Sequence, residues 1–318
     1  MRILGTGSAL PAQAVPNTAL EAFLDTSDEW ITSRTGISSR HVLSTGETLA
    51  DLALQAARGA LKDARISGEE LDLILGTTCQ GDQIVPGVAT TVQKGIGASC
   101  PCMDINAACT GFLYALDVAW AYLAAGRAKK IMILSAEAMT RLCDWEDRAT
   151  SVLFGDGAGA VVLDGGEGML SLRLTTAEDR EMLFIQPSPG NSPFSQNAPV
   201  PRGVHMAGQE VFRFAVSHAV EDILKAAAEA GAEVPDIQWF LLHQANRRIL
   251  ESVRQRLNLP KERFPNNIHR VGNTSSASIP ILLDELNREG RLRPGDLVAL
   301  CAFGAGLSTG AGILRWGG

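Results

Sequence analysis

Cys109 follows a predicted strand, Cys102 to Asn106, and two alanines, and it stands at the start of a helix opening with Thr110-Gly-Phe. A thiol placed there meets unpaired amides and the positive end of a helix dipole. Both stabilise a thiolate and lower its pKa, as a nucleophile working near neutral pH requires. A buried structural thiol is the plain alternative, and it is the reading adopted for Cys79, Cys102 and Cys301. His243 comes directly after the apolar run Trp239 to Leu242, so its ring projects from the C-terminal end of a strand, where open α/β sheets place ligands. A histidine that only satisfies a local hydrogen bond is the alternative there. Asn273 lies in Val271-Gly-Asn-Thr-Ser-Ser-Ala-Ser-Ile-Pro, which leads into a helix. Asn among Gly and Ser often marks a turn or cap. Beside a histidine, its neutral amide also supplies a donor for an enolate or oxyanion, and the Gly304-Ala-Gly-Leu turn adds a backbone N–H to the same task.

The elements that must position these residues alternate. Glu47 to Ala64 has helical spacing, Leu71 to Thr78 is a short apolar run suited to a buried strand, and Thr90 to Gly95 is helical again. Gly111 to Ala125 predicts a small-residue helix, Lys130 to Ser135 a buried strand, and Val152 to Leu163 apolar residues flanking a glycine-rich turn. The same order returns in helices at Glu210 to Ala230, Arg247 to Leu257 and Ile279 to Glu289, and in strands at Ile237 to Leu242 and Asp296 to Cys301. Two similar α/β halves follow, residues 1–167 and 168–318, each with a mainly parallel sheet covered by helices. Gln186 to Arg202, rich in Pro, Ser, Asn and Gly, reads as a surface loop.

Composition narrows the function. Forty-six per cent hydrophobic and 20% charged residues are the balance of a soluble globular protein, and a net charge of −7 argues against a nucleic-acid surface. The N-terminus lacks the long apolar region of a secretory signal and reads as a first strand, and no run reaches the roughly 18 apolar residues of a membrane span. A cytoplasmic protein is expected. Six cysteines without a secretion signal do not suggest a disulfide framework, and five scattered histidines suggest no metal site.

Seven segments in one order resemble the thiolase-superfamily condensing enzymes, most closely the β-ketoacyl-acyl-carrier-protein synthase III family, over essentially the whole chain. They are Asp25-Thr-Ser-Asp-Glu-Trp-Ile, Arg34-Thr-Gly-Ile, Ala107-Ala-Cys-Thr-Gly-Phe, Phe154-Gly-Asp-Gly-Ala-Gly-Ala, His243-Gln-Ala-Asn, Gly272-Asn-Thr-Ser-Ser-Ala-Ser and Phe303-Gly-Ala-Gly. The resemblance implies a five-layered αβαβα fold of two pseudo-equivalent halves and a homodimer built through the first half, to whose pocket Val85 of a partner subunit contributes. It implies a fatty-acid-initiating enzyme that loads an acyl group from acyl-CoA onto Cys109 and condenses it with malonyl-acyl-carrier protein, using His243 and Asn273 and no metal or other cofactor. The N–H groups of Cys109 and Ala305 would form the oxyanion hole. Thr26, Trp30, Arg34, Arg148, Gly208, Phe212, Asn246 and Arg248 match the positions that hold CoA, and Arg213, Arg248 and Arg256 would meet an acidic carrier protein.

Two departures, Ala305 in place of a glycine and Ser308 and Thr309 in place of an aromatic residue, imply a change in acyl preference. The alternative function is a secondary-metabolite starter condensing enzyme, of polyketide or alkylquinolone type, with the same triad. A thiolase would need a second catalytic cysteine after the glycine turn, and a hydroxymethylglutaryl-CoA type a glutamate near its cysteine, for which no motif is seen. A binding module that had lost catalysis would show a damaged triad.

Overall fold

Apolar runs become buried strands, and amphipathic segments become the helices that cover them. The computed structural model describes residues 1–186, 193–194 and 203–317, so the loop expected over 186–202 lies almost entirely outside the described residues. Strands β1 (Arg2–Ala9), β2 (Leu73–Thr77), β3 (Cys102–Ile105), β4 (Lys130–Ala138) and β5 (Asp156–Asp164) form one sheet in the order β1-β5-β4-β2-β3. Strands β6 (Met169–Asp179), β7 (Trp239–Leu242), β8 (Leu297–Gly304) and β9 (Gly306–Arg315) form another in the order β7-β8-β9-β6.

Neither sheet is mainly parallel, which corrects the expectation from alternating elements. In the first sheet β2 runs parallel to β3 and β4, but β5 is antiparallel to both β4 and β1. In the second β7 is parallel to β8, and β9 is antiparallel to both β8 and β6. Each half ends in strands joined without an α-helical crossover, by residues 139–155 between β4 and β5 and by Ala305 alone between β8 and β9, and such returns reverse the chain direction. The series β1-β5-β4-β2 and β6-β9-β8-β7 then have the same order and the same directions, so the two sheets are built alike.

Six helices matter to the site: α1 (Asp28–Thr35), α2 (Leu49–Ala64), α3 (Gly111–Ala124), α4 (Gly208–Glu229), α5 (Arg247–Arg256) and α6 (Ser278–Arg288). Side-chain oxygens cap three of them. Ser27 accepts from the Trp30 N–H, Thr48 from that of Asp51, and Asn246 from that of Arg248, each satisfying an amide left over in a first turn. Helix α2 buries Leu49, Leu52, Ala53, Ala56, Ala57 and Ala60 on the outer face of the first sheet. The approach is close: a Cβ on Gly7 of β1 would stand 2.2 Å from the Ala56 carbonyl oxygen.

Helices α3 and α6 lie together between the sheets, where Phe112, Leu113 and Leu116 of one and Ile279, Leu282 and Leu283 of the other share a core with both sheets. Burying each leucine contributes about 1.5–3 kcal/mol, against propensity differences of about 0.7 kcal/mol or less between ordinary residues. Packing therefore decides that the serine- and proline-containing start of α6 is helical, with Pro280 tolerated in its first turn. Helices α4 and α5 cover the outer face of the second sheet. The order helix, sheet, helix pair, sheet, helix makes the five αβαβα layers. Gly157 and Gly159 do not form the expected turn. They lie inside β5, where a Cβ on Gly159 would come within 2.8 Å of Ile281 N and Pro280 Cβ, and their absent side chains let α6 rest on the strand.

Candidate active site

Both central helices enter one cavity by their N-terminal ends. Cys109 is the middle residue of a 3-10 turn, Ala108–Thr110, that runs into α3. Ala108 holds the turn at φ 46°, and the Thr110 hydroxyl donates to the Ala107 carbonyl at 2.6 Å. The β8–β9 turn comes down against this point. A Cβ on Gly304 would lie 3.0 Å from both Cβ and N of Cys109, so glycine is what allows the Ala305 amide to follow so near the nucleophile.

His243 leaves the end of β7 and is 1% exposed. Its N–H donates to the Cys301 carbonyl at 2.8 Å, its Nδ1 lies 2.8 Å from Ser278 Oγ at the start of α6, and its ring meets that of Phe303 edge-on at 5.4 Å. Asn273 is clamped by its backbone between Leu153 and Gly155. Its Oδ1 accepts the Ser275 N–H at 2.9 Å. A backbone N–H donates only to the oxygen of an amide, so this bond orients the side chain and leaves Nδ2 as the free donor.

Cys109, His243, Asn273 and Ala305 all line a cavity of about 910 Å³, measured with its open mouth, whose remaining wall is mostly apolar. Gly208, Phe212 and Asn246 line it too. Arg248 stands over the Phe212 ring at 5.9 Å. Trp30, Arg34 and Arg148 form a separate cluster, the two guanidinium groups 4.6 and 5.2 Å from the indole centre, joined to the cavity wall because Asn246 Nδ2 donates to the Arg34 carbonyl at 3.2 Å. Thr26 is next to Asp25, which pairs with Arg148, and its buried Oγ1 has no partner among the described residues. Arg213 is paired with Glu210 at 2.8 Å, and Arg256 is exposed on α5. These two lie outside the cavity. Ser308 and Thr309 do not line it either. Ser308 Oγ donates to the Ala305 carbonyl at 2.9 Å and meets Thr110 Oγ1 at 2.8 Å, tying the turn to the base of α3.

The electrostatics correct one local expectation. Burial pushes the Cys109 thiol up to about 12, outweighing the hydrogen bond from Ser275, and the nearby Glu137 carboxyl adds to the rise. A helix terminus favours a thiolate, but desolvation within apolar walls dominates here. The nucleophile rests as a neutral thiol. Burial likewise pulls the His243 imidazole down to about 3, so it is neutral at every physiological pH. In the unfolded chain this histidine binds a proton below about 6.5, while in the folded chain it does not until about 3. Protons therefore favour the unfolded state across that window. Stability due to this residue should fall as the pH drops from 6.5 towards 3, by on the order of 4 kcal/mol over the window. Urea midpoints measured against pH should drop more steeply for the wild type than for His243→Asn.

Three residues of the site escaped the sequence. Ser275 Oγ donates to Cys109 Sγ at 3.5 Å and also lies 3.5 Å from Cys79 Sγ. Glu137, buried at the end of an apolar strand, accepts from the Cys79 N–H at 2.8 Å and the Ser276 hydroxyl at 2.6 Å, and burial raises its pKa. Ser278 backs the histidine. The only signal was the serine-rich run ahead of α6, which local rules read as a turn. Cys79, read as structural, instead lines the cavity beside the nucleophile, because β2 ends next to α3 in the folded sheet. Cys301, in β8, is buried as expected.

The arrangement offers a nucleophile, backbone amides beside it and two neutral side-chain donors across a mostly apolar cavity. Residues 103–177 match the family model of 3-oxoacyl-[acyl-carrier-protein (ACP)] synthase III, and residues 227–316 match that of its C-terminal part. A β-ketoacyl-[acyl-carrier-protein] synthase III of Rhizorhabdus wittichii is 44% identical over 99% of this chain and 98% of the relative. The crystal structure of the synthase III of Thermus thermophilus superposes with a TM-score of 0.93 at 41% identity, covering 100% of both chains. A priming β-ketosynthase from the R1128 polyketide pathway is further off in sequence, at 32% identity and a TM-score of 0.91 over 99% of this chain and 96% of that one. On this footing the chain belongs to the 3-oxoacyl-[acyl-carrier-protein] synthase III family.

Proposed function

We propose that the protein is an acyltransferase that initiates fatty acid synthesis, condensing an acyl-CoA starter with malonyl-acyl-carrier protein to give a 3-oxoacyl-carrier protein. The observation that carries this reading is the convergence of Cys109, His243, Asn273 and the Ala305 amide on one apolar cavity. Cys109 attacks the acyl-CoA carbonyl, with the oxyanion held by the N–H groups of Cys109 and Ala305, and CoA leaves. Malonyl-carrier protein then enters. As CO₂ departs, the thioester oxygen gathers negative charge, and His243 and Asn273 Nδ2 donate to it. In the tautomer that carries its proton on Nε2, His243 Nδ1 accepts the Ser278 hydroxyl hydrogen at 2.8 Å, while Ser278 accepts the Gln244 N–H at 3.3 Å, and Nε2–H is left for the substrate. A neutral imidazole suits this task, since it must donate without carrying charge into an apolar site. The enolate carbon attacks the acyl-Cys109 carbonyl, the Cys109 sulfur leaves, and the 3-oxoacyl product is released.

In this reading residues 1–167 supply the nucleophile and residues 168–318 the donors. The CoA arm runs past Gly208, Phe212, Asn246 and Arg248 to Trp30, Arg34, Arg148 and Thr26, where arginines meet phosphates and the indole faces the adenine. Arg248 and Arg256 offer cations to an acidic carrier protein, with Arg213 contributing once released from Glu210. No metal or redox group takes part. Two observations favour a homodimer through the first half: β3 is an edge strand, and Ile84 and Val85 are 97% and 80% exposed. We place the enzyme in the cytoplasm; among the described residues no helix is long and apolar enough to cross a membrane.

Intact mass after incubation with acetyl-, isobutyryl- and octanoyl-CoA tests the reading, followed by addition of malonyl-carrier protein. One of these esters should leave its acyl group on the protein and the carrier should remove it as a 3-oxoacyl product. No adduct from any of the three would end the case for a CoA-primed synthase. It would favour instead the secondary-metabolite reading, with a starter delivered in another form.

A further inference from the structure

Acyl transfer, if the proposed function holds, asks a neutral thiol to become a nucleophile in an apolar cavity. The titratable groups facing Cys109 do not solve this. Glu137 comes from the end of β4 and its charge opposes a thiolate, Cys79 is a second neutral thiol, and His243 is too weak a base once buried. The hydrogen bond to the sulfur comes from Ser275. This residue is fully buried, sits at φ 48°, and points its hydroxyl at Cys109 Sγ from 3.5 Å. Two other acceptors stand near that hydroxyl, Cys79 Sγ at 3.5 Å and the Glu137 carboxylate, and the hydroxyl bears on both. Glu137 receives the Cys79 N–H and both the N–H and O–H of Ser276, and the Cys79 thiol itself points to Glu137 at 3.8 Å. The single hydrogen of Ser275 has three acceptors in reach, and it turns to Cys109 as negative charge gathers on that sulfur. Few non-glycine residues adopt a positive φ, and one that does so against a nucleophile is held there by its surroundings.

We propose that Ser275 is a catalytic residue of acyl loading: its hydroxyl donates to Cys109 Sγ and stabilises the attacking thiolate, while its amide orients Asn273 for the later decarboxylation. In this step the Sγ–carbonyl bond forms and the carbonyl–sulfur bond to CoA breaks. The proton that leaves the Cys109 thiol is balanced by the one that the departing CoA thiolate takes up. A hydrogen bond to the charged form of a group favours that form, so removing it makes the thiolate rarer at every pH below the thiol's midpoint.

The test is the rate at which iodoacetamide alkylates Cys109 in the full chain, followed by peptide mass spectrometry from pH 6 to pH 10, in wild type, Ser275→Ala and Ser275→Gly. Both variants should alkylate about tenfold more slowly at each pH, as expected for a pKa raised by about one unit. Ser275→Gly relieves the backbone of its positive φ and Ser275→Ala does not, so an effect of backbone strain would separate them. Wild-type rates in either variant, or a slowing confined to one of them, would overturn the proposal. Iodoacetamide needs no CoA ester. A wild-type protein that alkylates normally yet accepts no acyl group would therefore sink the acyl-transfer reading and not the role of Ser275 towards the sulfur.

Discussion

Cys109→Ala should carry no acyl group after incubation with the CoA ester that labels the wild type, and condensation should fall by at least about 10⁴-fold. The substitution removes one sulfur at the cavity wall and leaves the turn, the Cys109 N–H and the Ala305 amide in place. The loss is thus of chemistry and not of fold, and unchanged circular dichroism and urea midpoint should accompany it. The second thiol makes the result informative. Cys79 is within reach of the same Ser275 hydroxyl, but burial and the Glu137 charge hold its pKa well above that of an ordinary cysteine. Burial suppresses both thiols, so the choice between them rests on the Gly304–Ala305 turn, which stands against Cys109. An adduct that persisted in Cys109→Ala and mapped to Cys79 would show that the nucleophile had been assigned to the wrong sulfur.

His243→Ala should separate the two half-reactions. The acyl adduct should still form, because the oxyanion of loading is held by backbone amides, whereas release of CO₂ from malonyl-carrier protein should fall by about 10²–10³-fold, the usual cost of one lost donor to a developing oxyanion. Asn273→Ala should act on the same step. The double variant should lose less than the product of the two single losses, because both donors serve one oxygen and removing either already disorders it. Radiolabelled CO₂ release from the pre-acylated enzyme measures this directly. Equal damage to loading and decarboxylation in His243→Ala would mean that the imidazole takes the Cys109 proton, and the division of labour argued here would fail.

The pattern of the chain by itself determined the helices and strands whose faces are plainly sided. Leu49 to Ala64, Gly111 to Ala124 and the run before His243 are buried where their apolar spacing places them, because that spacing is what makes a segment pack. Seven short segments also pointed to Cys109, His243, Asn273 and Ala305, which line one cavity, but not to Ser275, Ser278 or Glu137. Strand direction was a matter for the tertiary structure. A buried strand such as Asp156–Asp164 is apolar on both faces whichever way its neighbours run, so the antiparallel ladders of β5 and β9 left no mark on composition.

The charge state of the site was decided at the same level. Locally, Cys109 is a thiol at a helix start and should ionise easily. In the folded protein, Phe303, Leu307 and the other apolar walls remove the water that would solvate the anion, and desolvation outweighs a helix terminus. Ser275, Ser278 and Glu137 are 166, 169 and 28 positions from Cys109 along the chain. No window of sequence contains these contacts, because the packing of α3 against α6 between two sheets is what creates them.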